Sequence, residues 1–154
     1  MDLILWRHAE AHDLVDGGID LERVLTPRGE KHALRMASWL DRQLPDGVRV
    51  LCSPARRTEQ TVVPLNRKYK LRAELAPECC TIDELLELTG WPNSRMPVLV
   101  VGHQPLLGQV VSRLLGMQAE DCSVRKGAVW WLRSRDRDEQ AQTILVTVQT
   151  PELL

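Results

Sequence analysis

Three apolar runs in this chain stop on chemistry-bearing side chains, and that pattern constrains the fold more than any bulk property. Leu3-Ile4-Leu5-Trp6 ends on Arg7-His8-Ala9-Glu10, and Met96-Pro97-Val98-Leu99-Val100-Val101-Gly102 ends on His103. Between them, Leu51-Cys52 leads into Ser53-Pro54-Ala55-Arg56-Arg57. Short continuous apolar runs with polar borders read as strands buried on both faces, the pattern of a parallel sheet covered by helices. Right-handed crossovers bring the carboxyl ends of such strands to one edge of the sheet, where ligands bind. Two histidines and up to three arginines then share one edge. That is the outline of a site that handles phosphate covalently.

The intervening segments supply the helices. Leu25-Thr26-Pro27-Arg28-Gly29 predicts a helix start with Thr26 as N-cap and Pro27 at the first helical position. Ala33, Met36, Ala37, Leu40 and Leu44 follow at helical spacing and are expected to face the core. A strand is expected from Val48 to Cys52. Ser53-Pro54 then opens the next helix by the same cap-and-proline device, and Pro64 ends or kinks it. Arg72 to Leu75 reads as a short strand. Thr81-Ile82-Asp83-Glu84 fits a capping box, with Gly90 closing that helix. Leu106, Leu107, Val110, Val111, Leu114 and Leu115 form an apolar helix face ended by Gly116. Two last strands are expected at Ala128 to Arg133 and Thr143 to Gln149, joined by a charged hairpin from Ser134 to Gln140. The expected fold is α/β: a single three-layer α/β/α domain, residues 1–154, around a mostly parallel sheet.

Composition excludes more than it selects. The net charge is −1, from 20 Lys+Arg against 21 Asp+Glu, so no general field draws the chain to nucleic acid or a membrane surface. Anion binding must come from local placement. No window reaches the length of a membrane span, and the first ten residues do not read as a secretory signal. The four cysteines, Cys52, Cys79, Cys80 and Cys122, show no framework spacing. Reduced thiols and a cytoplasmic location are expected.

Each marked residue also has a bland reading. One histidine at a strand end is more often structural than catalytic, but two at neighbouring strand ends are harder to dismiss. Arg56 and Arg57 fall in the first turn of a helix, where the macrodipole disfavours a cation by roughly 0.3–1 kcal/mol. A bound anion there offsets that cost. Metal readings fare worse. His8-Ala9-Glu10-Ala11-His12 has the order H-x-E-x-H, not H-E-x-x-H, and no zinc-type cysteine pair exists. A cysteine-nucleophile phosphatase with C-x₅-R spacing needs an arginine where Thr58 stands, so Cys52 reads as a buried strand-end thiol. No metal or other cofactor is expected.

Four motifs in order carry a family resemblance: Arg7-His8-Ala9-Glu10, Leu25-Thr26-Pro27-Arg28-Gly29, Ser53-Pro54-Ala55-Arg56-Arg57-Thr58-Glu59-Gln60-Thr61 and Val101-Gly102-His103-Gln104-Pro105. They resemble those of the histidine phosphatase (phosphoglycerate mutase-like) superfamily, and within it the small SixA-type phosphohistidine phosphatases. The resemblance runs from Met1 to about Val111. It implies that His8 is a nucleophile that becomes a phosphohistidine, with Arg7, Arg57 and His103 around the phosphoryl group. The family pattern puts the arginine at Arg57 and leaves Arg56 variable. Thr26 and Ser53 are expected to cap helices, with hydroxyls that can also reach the phosphate.

The sequence departs from the family in two places. Ala9 replaces a more usual glycine. Leu75-Ala76-Pro77 stands where mutase-type members resemble Leu-x-Glu, so the usual proton donor is missing, and Glu10, Glu74, Glu78 and Asp13 are the nearby substitutes. A phosphohistidine leaving group can carry its own proton, whereas an alkoxide needs one during departure. The resemblance therefore implies a phosphorylated protein as substrate, a histidine phosphotransfer domain among the candidates, with no nucleic acid or membrane partner. Two other readings stay open. One is a phosphatase or mutase for a small phosphate ester; the other is a non-catalytic module that binds phospho-ligands. The polar loop from Ala11 to Val24 is expected to lie on the surface near the site.

Overall fold

The computed structural model describes residues 1–154. Six strands form one sheet: β1 (Asp2–Arg7), β2 (Arg49–Cys52), β3 (Lys70–Leu71), β4 (Val98–Gly102), β5 (Val129–Arg137) and β6 (Gln140–Gln149). Their order is β3-β2-β4-β1-β5-β6. The first four run parallel, and β5 and β6 join antiparallel. Four α-helices connect them: α1 (Pro27–Gln43), α2 (Arg56–Val62), α3 (Ile82–Thr89) and α4 (Leu106–Leu115).

Alternation along the strands builds the three layers. Ile4 and Trp6 of β1 pack with Leu99 and Val101 of β4 against Met36, Ala37 and Leu40 of α1. Leu3 and Leu5 point the other way, with Val98 and Val100, toward Leu85 of α3 and Leu107, Val110 and Val111 of α4. Both faces are buried, so the strands carry apolar residues at every position rather than every second one. No helix is long and apolar enough to cross a membrane.

Local chemistry sets the helix ends. Thr26 Oγ1 accepts from the Gly29 amide at 3.0 Å, and Pro27 occupies the first helical position. Thr81 caps α3 through the Glu84 amide, and Gly90 and Gly116 close α3 and α4 in the left-handed conformation. The helix from Ser53 begins later than expected. It starts at Arg56 with Ala55 before it and no side-chain cap, because the Ser53 hydroxyl is held by His103.

Two further expectations need correction. The strand expected at Arg72 to Leu75 lies at Lys70–Leu71, and Ala73–Leu75 is a 3₁₀ turn that buries Leu75. Only the last two residues of β2 remain for this edge strand to pair with, so it ends early. The last hairpin is also longer than expected. Pairing continues to Arg137 and Gln140, and the turn is Asp138-Glu139, both at positive φ. This two-residue geometry matches the twist of antiparallel strands, and the charged residues are tolerated because that end of the ribbon is exposed.

The start of α1 is pressed onto the chain that follows His8. The Thr26 amide donates to the Glu10 carbonyl at 3.0 Å, and a Cβ on Gly29 would stand 2.0 Å from the same oxygen. In an ordinary helix interior, Gly→Ala stabilises by roughly 0.5–1 kcal/mol. Here overpacking against backbone, typically about 1–3 kcal/mol, opposes it and wins. Gly29→Ala is therefore expected to lower the urea midpoint of unfolding. A higher midpoint would contradict the close approach.

Candidate active site

Strand pairing assembles the site. Arg7 of β1 lies in register with Gly102 of β4, and the His8 amide donates to the Gly102 carbonyl at 3.1 Å. His8 and His103, each one residue beyond its strand, therefore face one another with ring centroids 5.4 Å apart. On the other side of β4, the Ser53 amide donates to the Val101 carbonyl, which brings the Ser53–Arg57 segment to the same edge. His8, His103 and Arg57 are all buried, whereas Arg56 points to solvent.

Hydrogen bonds fix the state of His8. Its Nδ1 lies 2.7 Å from the Ala9 carbonyl, which can only accept. The neutral ring therefore carries its proton on Nδ1 and leaves a lone pair on Nε2. Burial, above all, pushes the His8 pKa from 6.5 to about 4; the Ala9 bond opposes this, and the charges of Arg57 and Arg7 lower it further. His8 is thus neutral near pH 7 with its Nε2 lone pair free, and burial contributes more to this than the arginines.

His103 is held from Ser53, whose Oγ lies 2.7 Å from Nε2 and accepts from the Ala55 amide at 3.2 Å. The hydroxyl can donate to Nε2 or accept from it, so the pair serves either neutral tautomer. With the proton on Nε2, Nδ1 accepts from Arg57 Nη2 at 3.4 Å; with the proton on Nδ1, it can donate to an oxyanion. Burial, then His8 and Arg57, lower the His103 pKa to about 3.

The two arginines are only partly satisfied. Arg7 Nη1 donates to the Val124 carbonyl at 2.8 Å, and Arg57 donates to the backbone and the carboxylate of Asp20 at 2.9 and 3.1 Å. The Nε groups of both are buried without any partner. Leaving such a donor unmet costs about 1–3 kcal/mol, more for a charged group. Burial, and secondly the charge of Arg57, depress the Arg7 pKa. Two like charges with free donors beside an unprotonated imidazole form a receptor for a tetrahedral oxyanion.

A cleft of about 630 Å³ opens over these groups, and it contains Asp20, Arg23, Glu78 and Lys126 as well. Asp20 links Arg57 to Arg23, whose Nη1 donates to it at 3.1 Å. Burial would raise the Asp20 pKa, but the hydrogen bond from Arg23 and the charge of Arg57 hold it below the usual carboxylate range. Among the substitutes for the missing acid, the structure brings only Glu78 to the cleft; Glu74 is exposed and paired with Arg72. Thr26 and Ser53 do not line the cleft: Thr26 caps α1, and Ser53 supports His103. Burial raises the Cys52 pKa to about 12, so it is a protonated strand-end thiol. No three His, Cys, Asp or Glu side chains converge on a point that could hold a metal ion.

Residues 3–83 match the model of the histidine phosphatase superfamily, branch 1. The phosphohistidine phosphatase SixA of Escherichia coli (strain K12) is 31% identical over 121 residues, 74% of each chain. The chain belongs to the histidine phosphatase superfamily. A solved chain from Nakamurella multipartitia that carries the SixA designation superposes with a TM-score of 0.78 at 29% identity, over 97% of this chain and 95% of that one. A protein histidine phosphatase SixA complexed with tungstate gives 0.74 at 26% identity, over 99% of both.

The family motif around Arg57 is largely scaffolding. Thr58 Oγ1 donates to the Ser53 and Ala55 carbonyls, Gln60 Oε1 accepts from the Leu25 amide, and Thr61 Oγ1 accepts from the Ala9 amide. These bonds tie α2 to the chain on either side of the polar loop and fix Arg57 relative to His8. The extra methyl of Ala9 is fully buried among Ala11, Leu25 and Ala33, not in the cleft. Sequence reasoning missed Asp20 and Arg23. Their three-residue spacing within the loop was the available signal.

The neutral histidines make stability depend on pH. Unfolded histidines protonate near 6.5, whereas native His8 and His103 stay neutral to about 4 and about 3. Between these values the unfolded chain binds protons that the native chain does not, so stability falls as pH drops from 6.5 to about 4. His8 alone accounts for roughly 3 kcal/mol of this. Urea unfolding from pH 7.5 to 4.5 should show the fall, and His8→Gln/His103→Gln should flatten it. Equal slopes in both proteins would mean that the native rings are not held neutral.

Proposed function

We propose that this chain removes phosphate from phosphohistidine carried by a protein, through a phosphoryl group held transiently on His8 Nε2 and without a metal ion. The observation that carries the reading is the pair of buried, unpartnered donors, Arg7 Nε and Arg57 Nε, beside an imidazole with Nε2 free. A transferring phosphoryl group spreads charge over its equatorial oxygens, and catalysis is mainly positioning and charge stabilisation. His8 Nε2 attacks phosphorus as the bond to the substrate's imidazole breaks, and the leaving imidazole departs with the proton it brought. Water then attacks the phosphoryl group, the bond to Nε2 breaks, and inorganic phosphate leaves with the water's oxygen. Arg7 and Arg57 hold the oxygens throughout, and His103 donates from Nδ1 while Ser53 serves its other nitrogen.

The state of the carboxylate beside Arg57 supports a phosphohistidine substrate. Asp20, the carboxylate beside Arg57, is held ionised and makes a poor proton donor. The SixA relatives are named for action on phosphohistidine, and one of them holds tungstate, an oxyanion of phosphate-like shape. A phosphorylated protein such as a histidine phosphotransfer domain is the partner this reading calls for. Glu78 at the cleft is the observation that favours the other reading, a small phosphate ester with Glu78 as its acid.

Leaving groups of graded basicity separate the two. kcat/KM is expected to be high for phosphohistidine and activated aryl phosphates and poor for alkyl esters, with only a modest loss in Glu78→Gln. Exhaustive chelation is expected to leave the rates unchanged. A flat dependence on leaving group would move the small-ester reading ahead, and activity that returns only on adding a divalent ion would overturn the metal-free mechanism.

A further inference from the structure

A second polar pocket of about 350 Å³ adjoins the catalytic cleft and shares Arg7 and Lys126 with it. No hydrophobic side chain lines it. Arg7, Arg28, Arg125 and Lys126 bring four positive charges, against the two carboxylates of Glu10 and Glu152. In a chain with net charge −1 this is a local concentration of cations. Arg125 and Lys126 take part in no ion pair, and the carboxylate nearest Arg28 is Glu10 at 3.9 Å.

Backbone hydrogen bonds fix the turn that carries Arg125 and Lys126. Arg125 to Ala128 form a turn closed by the Ala128 amide donating to the Arg125 carbonyl at 3.0 Å, with Gly127 at φ +77°. The Gly127 amide donates to the carbonyls of Arg7 and His8 at 3.1 and 2.9 Å, and its own carbonyl accepts from Trp6 Nε1 at 3.2 Å. The turn is thus bonded to the strand end that carries His8. Its backbone thereby roots Arg125 and Lys126, both exposed, beside that strand end.

We propose that this pocket receives acidic side chains flanking the phosphohistidine of a protein substrate, which it selects by charge. The proposal rests on the functional reading above for the phosphohistidine, but not for the acidic contact. Carboxylates held there meet exposed guanidinium and ammonium donors that have no ion-pair partner, so selection weakens as salt rises.

Short synthetic peptides test it, one with Asp and Glu flanking a histidine and one with Asn and Gln in their place, each with and without chemical phosphorylation by phosphoramidate. Fluorescence anisotropy on the unphosphorylated pair is expected to show the acidic peptide binding about tenfold tighter, with most of the difference lost in Arg28→Gln/Arg125→Gln. In turnover of the phosphorylated acidic peptide, the double variant is expected to raise KM about tenfold at constant kcat and to leave aryl phosphate hydrolysis unchanged. Equal binding of the two peptides, or an equal loss on aryl phosphate, would overturn the proposal. So would displacement of the acidic peptide by inorganic pyrophosphate at concentrations below the peptide's own Kd, which would assign the pocket to a small polyanion. If the wild type binds the acidic peptide selectively but hydrolyses no phosphohistidine, the functional reading fails and the pocket assignment stands.

Discussion

Burial of two unpaired guanidinium donors next to an unprotonated imidazole is the constraint around which this structure is arranged. Burial disfavours charge on both kinds of group, with different results. It lowers the pKa of His8 and so keeps Nε2 unprotonated, and it strips Arg7 and Arg57 of water without giving their Nε groups partners. In the proposed reaction one ligand meets both conditions: an oxyanion supplies the acceptors that the arginines lack and places an electrophilic phosphorus before Nε2. The unmet donors cost stability in the empty protein, and preorganised donors of this kind carry much of the catalysis in sites where charge develops on oxygen.

Holding that arrangement takes most of the family's sequence pattern. The parallel pairing of β1 with β4 sets the separation of the two histidines. Ser53, Thr58, Gln60 and Thr61 spend their hydrogen bonds on carbonyls, amides and His103, and none lines the cleft. Gly29 allows α1 to reach the chain that follows His8. A motif that reads as a list of active-site residues is, in physical terms, largely a set of braces around Arg57 and the His8 tautomer.

Much of this was legible in the sequence because the signals were local. The apolar runs gave the buried strands, Thr26-Pro27 gave the α1 start, and Gly90 and Gly116 gave the ends of α3 and α4. The histidines could be placed from topology alone, since parallel strands share an edge. What escaped depended on partners distant in sequence. Ser53 looked like a cap by its residue type, and only His103, 50 residues away, explains why it is not one. Asp20 and Arg23 looked like surface charges until the loop was seen folded over Arg57. The charges of Arg7 and Arg57 around His8 are visible in a sequence, whereas burial, the larger cause of its lowered pKa, is not.

The central claim is that His8 carries the phosphoryl group on Nε2 because the Ala9 carbonyl occupies Nδ1. Rapid quench of the protein with a labelled phosphodonor, followed by nuclear magnetic resonance of the trapped adduct, tests it directly. The account predicts an acid-labile, alkali-stable phosphoryl group on His8 Nε2 that is absent from folded His8→Ala. A phosphoryl group on Nδ1, or label that persists in His8→Ala, would contradict it.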